Sequence, residues 1–180
     1  MNKQSFSTNK PQVGIVMGSD SDLEVMAEAA KILDELGVTS ETLILSTHRA
    51  PRETAKYAQN AKTRGIKVII AGAGGAAALP GSIASLTSVP VIGVPVKTKS
   101  LEGLDSLLSI VQMPPGVPVA TVGISGAKNA GILAGQIIGV SDPKISKRII
   151  EYKEKIKKEV LAKNLKVKNI GWEKYLKEGK

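Results

Sequence analysis

The chain contains no cysteine and a single histidine, and aromatic residues make up only 3% of its 180 positions. Without cysteine there is no disulfide framework, no thiolate metal site and no cysteine nucleophile. One imidazole cannot build a His-rich metal centre, and so few aromatics leave no stacking platform for single-stranded nucleic acid. Long apolar runs are missing too. Every run is broken by Gly or Pro well before the roughly 20 residues a membrane span needs. Met1 to Lys10 is polar and lacks the apolar core of a signal peptide. These features imply a cytoplasmic protein without a thiolate or His-rich metal site and without a nucleic-acid or membrane partner.

What is present is a core-forming chain with a formal charge of +9 and 42% hydrophobic residues, of a length suited to one domain. The charge is unevenly placed. Residues 144–180 carry 13 Lys and Arg against 5 Asp and Glu, whereas residues 1–143 carry 12 against 11. Lys and Glu interleave at helical spacing in that basic segment, so it is read as a solvated helix rather than a polyanion-binding tail.

Short apolar runs alternate with helical patterns. Strands are expected at 12–17, 41–46, 67–71, 91–94 and 118–124. Helices are expected at 22–36, from Pro51 to before Gly65, from about Pro80, at 104–111, at 127–138 and from an Asp142 cap to about Lys163. A short helix is expected near Trp172. Ser21 and Glu24 have the spacing of a capping box, and Gly37 of a helix stop. This order predicts a three-layer, doubly wound α/β domain of flavodoxin-like type, with a central parallel sheet and an added C-terminal helix. The division is a mobile tail at 1–11, one domain at 12–163 and an extension at 164–180. Gly131, Gly135 and Gly139 form a small-residue stripe that suits close packing, slightly favouring a contact between subunits.

Ligands of such folds sit at the carboxyl ends of the strands, which singles out three loops. The first, Gly18-Ser19-Asp20-Ser21-Asp22, offers hydroxyls and backbone N–H groups at a helix start, a phosphate cradle or a plain cap. Asp22 suits ribose hydroxyls. The second, Ser46-Thr47-His48-Arg49-Ala50-Pro51, puts a hydroxyl, the only imidazole and a guanidinium within four residues. The pairing supplies a proton carrier and an anion fork. The third, from Ala71 to Gly81, is Gly- and Ala-rich and offers close backbone approach, without the GxGxxG fingerprint or a Walker lysine. A fourth segment, Ser106 to Pro118, is an apolar run ending in prolines that suits a rigid lid or an interface.

Taken together, these segments resemble the class I PurE family, the N5-carboxyaminoimidazole ribonucleotide mutases. The pieces that carry the likeness are Val16-Met17-Gly18-Ser19-Asp20-Ser21-Asp22, Ser46-Thr47-His48-Arg49-Ala50-Pro51, Ile69 to Ala77, Gly93-Val94-Pro95-Val96, Asp105 to Pro114, and Ala127-Lys128-Asn129-Ala130. They run in order from about 12 to 160. The resemblance implies a homo-octamer and a metal- and cofactor-free isomerase. Such an enzyme moves a carboxylate from the exocyclic nitrogen of a nucleotide to ring carbon C4, by decarboxylation and recarboxylation. It implies His48 as general acid and base with Ser46 beside it. Arg49 and Ser21 fall at the phosphate, and Ser19 and Asp22 at the nucleotide and its ribose. Ala73, Gly74, Gly75, Ala76 and Leu79 fall around the carboxylate or trapped CO2. The alternative is a carboxylase that uses free CO2. The chain departs from the family pattern at Ala78, where members carry His, and at Thr47 and Ala50. A lineage working with one imidazole, an engineered replacement, or a variant paralogue with another substrate each fit Ala78.

Overall fold

Strands whose residues are apolar on both faces must be covered on both sides, and the computed structural model, which describes residues 10–178, shows that arrangement. The elements run β1 (Val13–Met17), α1 (Leu23–Glu35), β2 (Ser40–Ile44), α2 (Pro51–Asn60), β3 (Val68–Ala73), α3 (Leu79–Ala84), β4 (Val91–Pro95), α4 (Leu104–Val111), β5 (Ala120–Thr121), α5 (Ala127–Gly139), α6 (Pro143–Ile170) and α7 (Trp172–Lys177). All strand pairs are parallel, in the order β2-β1-β3-β4-β5. This is the flavodoxin-like winding, with its switch point between β1 and β3.

The period of two divides each strand between two cores. Val13, Ile15 and Met17 of β1, with Ile70 of β3 and Ile92 of β4, face α1 and α5, and Ile145 and Ile149 of α6 close that layer. Val16, Ile69 and Ala71 face the other way, towards Tyr57 and Ala58 of α2, Ile83 of α3 and Ile110 of α4. The first core needs bare backbone where helices cross. A Cβ at Gly131 would meet Ile32 Cγ2 and the Ala29 carbonyl oxygen of α1, and one at Gly135 would meet Leu36 Cδ1 at 3.0 Å and Ile149 Cδ1 at 3.2 Å. A Cβ at Gly139 would meet the Ser146 backbone at 3.2 Å. The glycine stripe of α5 thus seats α1 and α6 of the same chain, not the neighbouring subunit its spacing slightly favoured.

Most boundaries shift by a few residues, and two elements differ in extent for a physical reason. β5 holds two ladder residues, because Pro118 has no N–H and the chain leaves the ladder at Gly123, with Ser125 at φ 55°. α6 continues past Lys163 to Ile170, since nothing interrupts it before Gly171, which adopts φ 78°. No element boundary falls at 163. Asp142 caps α6 as expected, accepting from the N–H groups of Lys144 and Ile145 at 3.0 and 3.3 Å. At the other end, residues 1–9 of the expected mobile tail lie outside the described residues. The Lys10 carbonyl accepts a bond from Thr39 Oγ1 at 3.0 Å.

Candidate active site

The loops that follow β1, β2, β3 and β4 enclose one cavity of about 470 Å³. After β1, the Gly18 N–H bonds the Gly72 carbonyl at 3.2 Å and so ties this loop to the end of β3. The chain then enters a single 3-10 turn, Asp20–Asp22, before α1. Ser19 caps that turn, accepting from the Ser21 N–H at 3.4 Å, and Ser21 Oγ donates to Asp22 Oδ1 at 3.3 Å. The capping box expected between Ser21 and Glu24 therefore does not form. The extra turn moves Ser21 one step inside the helical run, and both serine hydroxyls border the cavity.

Asp22 is buried beside them. Burial pushes its carboxyl above the ordinary carboxylate value, and the nearby Asp20 charge adds to this, while the Ser21 hydroxyl and the Arg49 guanidinium pull the other way. Its oxygens remain acceptors in either protonation state, as ribose hydroxyls require.

After β2, Ser46 organises the turn before α2. Its Oγ accepts from both the backbone N–H and the Nε of Arg49, each at 3.3 Å. Arg49 also donates from its NH2 group to the Gly18 carbonyl at 2.6 Å, so the guanidinium is held over the end of β1. His48, between them, is exposed at the cavity wall. Pro51 starts α2 where no N–H is needed.

After β3, Ala73, Gly74, Ala76, Ala78 and Leu79 form a wall without any acid–base group. A Cβ at Gly74 would meet Thr98 Cγ2 at 3.2 Å, so the wall lies directly against the segment after β4. Gly75 stands apart from its predicted partners and does not line the cavity. Its N–H donates to Ser106 Oγ at 2.9 Å, and Ser106 Oγ in turn donates to the Val96 carbonyl at 2.7 Å.

The structure thus gathers Ser19, Ser21, Asp22, Ser46, His48, Arg49, Ala73, Gly74, Ala76 and Leu79 at one place. It adds Gly18 and Thr47 from the first two loops, and Val96, Lys97 and Thr98 from outside the three loops that the sequence singles out. Val96, Lys97 and Thr98 follow β4. The carboxyl end of the fourth strand is a ligand-facing position by the same rule that marks the first three. Among the described residues no three His, Asp or Glu side chains gather as metal ligands.

A parallel sheet of this order, with a cavity at its switch point, defines a flavodoxin-like α/β protein. Comparison with known proteins narrows the class. The family model described as AIR carboxylase matches residues 12–159. The N5-carboxyaminoimidazole ribonucleotide mutase of Thermotoga maritima is 61% identical, over 93% of this chain and 98% of its own length. The mutase of Pyrococcus horikoshii is 58% identical, over 97% and 98%. Among solved structures, the crystal structure of Treponema denticola PurE superposes with a TM-score of 0.80 at 27% identity, covering 88% of this chain and 99% of that one. The chain belongs to the AIR carboxylase family.

Proposed function

We propose that the protein is an N5-carboxyaminoimidazole ribonucleotide mutase, an isomerase of purine synthesis. The observation that carries this reading is the convergence of the chain's single imidazole with Arg49, two serine hydroxyls and Asp22 around one cavity. The high identity to curated mutases along nearly the whole chain supports it.

The nucleotide phosphate is held by Arg49 and Ser21, and the ribose by Asp22 and Ser19. His48 then serves the reaction twice. As imidazolium it gives a proton to the exocyclic nitrogen while the N–C bond to the carboxylate breaks and CO2 leaves. Ring carbon C4 attacks the carbon of CO2, forming the new C–C bond. The proton on C4 passes to the neutral imidazole, which restores the starting state. The released CO2 must stay in place between these steps. The wall formed by Ala73, Gly74 and Ala76 carries no polar side chain that would hold water beside it.

The working assembly is a homo-octamer in the cytoplasm. Leu101, Leu104, Leu108 and Val111 are exposed along α4 and the turn before it, which supports burial of this face against another copy. No helix among the described residues is long and apolar enough to cross a membrane.

The decisive assay follows conversion of N5-carboxyaminoimidazole ribonucleotide without added bicarbonate. The wild type turns over, and His48→Asn loses about 10²–10⁴-fold in kcat. Turnover retained by His48→Asn refutes the assignment.

A further inference from the structure

Four ionisable side chains line the cavity: Asp22, His48, Arg49 and Lys97. Lys97 has had no part so far. It follows β4, whereas Arg49 follows β2, and strands β1 and β3 lie between them. At the strand spacing of a sheet, the two loops start about 14 Å apart. Both carry long cationic side chains, so one small ligand fits between the charged heads.

The backbone around Lys97 is fixed on both sides. The Val96 N–H donates to the Ala73 carbonyl at 2.9 Å, and the Val96 carbonyl accepts from buried Ser106. Thr98 Oγ1 donates to Asp105 Oδ1 at 3.0 Å. The following turn folds back over this point. Glu102 adopts φ 54° and Gly103 φ 92°, and a Cβ on Gly103 would approach the Lys97 Cα to 3.1 Å. A positive φ at a non-glycine residue is costly and marks positions where the chain is held for a purpose. Here it sets the Glu102 carboxylate against the Lys97 ammonium. Both side chains of that pair are largely exposed. An exposed pair of this kind contributes little, so the ammonium can exchange Glu102 for a ligand carboxylate at small cost.

The two ends of the cavity differ. At the Arg49 end stand the serine hydroxyls and Asp22. At the Lys97 end stands Gly74, which lies against Val96 and Thr98 and brings no charge. We infer that Lys97 binds the carboxylate that is transferred, opposite the phosphate held by Arg49, and so selects the carboxylated nucleotide over the uncarboxylated one.

This rests on the mutase reading, and one titration separates the two. The C4-carboxylated product and the uncarboxylated aminoimidazole ribonucleotide are titrated calorimetrically into wild type, Lys97→Met, Lys97→Gln and Lys97→Arg. Loss of a hydrogen bond to a charged group weakens binding about ten- to a hundredfold. That loss is expected for the carboxylated ligand with Lys97→Met and Lys97→Gln, with the uncarboxylated ligand little changed and Lys97→Arg retaining most of the discrimination. Equal weakening of both ligands, or weakening of neither, overturns the assignment of Lys97 alone. A wild-type protein that binds neither nucleotide overturns the mutase reading itself.

Discussion

Ser106 is the place where a single atom braces the cavity, and removing it gives a sharp test. Its side chain is fully buried on α4 and joins two loops, accepting from the Gly75 N–H at 2.9 Å and donating to the Val96 carbonyl at 2.7 Å. Ser106→Ala removes both bonds and leaves the rest of the helix intact. Gly75 is half-buried, so its N–H can turn to water and loses only the net value of one bond, about 1 kcal/mol. Val96 is buried, and its carbonyl loses a partner without water to replace it, which costs about 1–3 kcal/mol. A total of about 2–4 kcal/mol corresponds to a fall in Tm of about 4–16 °C for a chain of this size. Thermal unfolding by circular dichroism measures the fall. Hydrogen exchange adds a local reading, because the Gly75 amide loses its protection in the variant. A variant that melts together with the wild type, with the Gly75 amide still protected, refutes the brace.

Two further perturbations address the site and the core. Asp22→Asn removes a carboxyl whose folded-state pKa lies above its unfolded value. The folded protein therefore holds the proton longer, and Asp22 begins to destabilise it as pH rises through a window just above the ordinary carboxylate value. The variant is expected to melt higher than the wild type at neutral pH and equally at pH 3, while binding nucleotide more weakly; a gain of the same size at both pH values contradicts this. Gly131→Ala gains up to about 1 kcal/mol of helix propensity. Its Cβ would nevertheless press on the Ala29 carbonyl oxygen at 2.9 Å, a backbone atom that cannot swing aside. Overpacking costs about 1–3 kcal/mol, so a net loss is expected in urea unfolding, and a stabilised variant overturns the packing argument.

The features most legible in the sequence were those with a local physical cause. β1, β3 and β4 announce themselves because both faces are buried, which forbids polar residues along them. β5 was overdrawn, since Val119 and Val122 look like strand residues while pairing depends on neighbours that the sequence does not display. The glycines of α5 show that a small-residue stripe specifies close approach but not the identity of the approaching helix. At the site, the hydroxyl, imidazole and guanidinium of Ser46 to Arg49 were readable because three chemically distinct groups stand within four residues. Ser106 was not. A serine in a largely apolar helix carries no periodic signal, and its importance comes from two backbone groups 31 and 10 residues away. Lys97 was hidden similarly, as an ordinary lysine in a lysine-rich chain.

If Arg49 holds the phosphate as proposed, its tethering bears on how fast and how tightly that phosphate is captured. An arginine waving in solvent must be stilled when its ligand arrives, and ordering such a side chain takes about 0.5–1.5 kcal/mol from binding. Here folding has already stilled it, through Ser46 Oγ and the Gly18 carbonyl. The guanidinium has donors beyond those two contacts, and they meet the ligand from a fixed direction. Capture at this end therefore proceeds by docking rather than by rearrangement. On the same reading the opposite end adds little delay, because the exposed Glu102 holds the Lys97 ammonium only weakly.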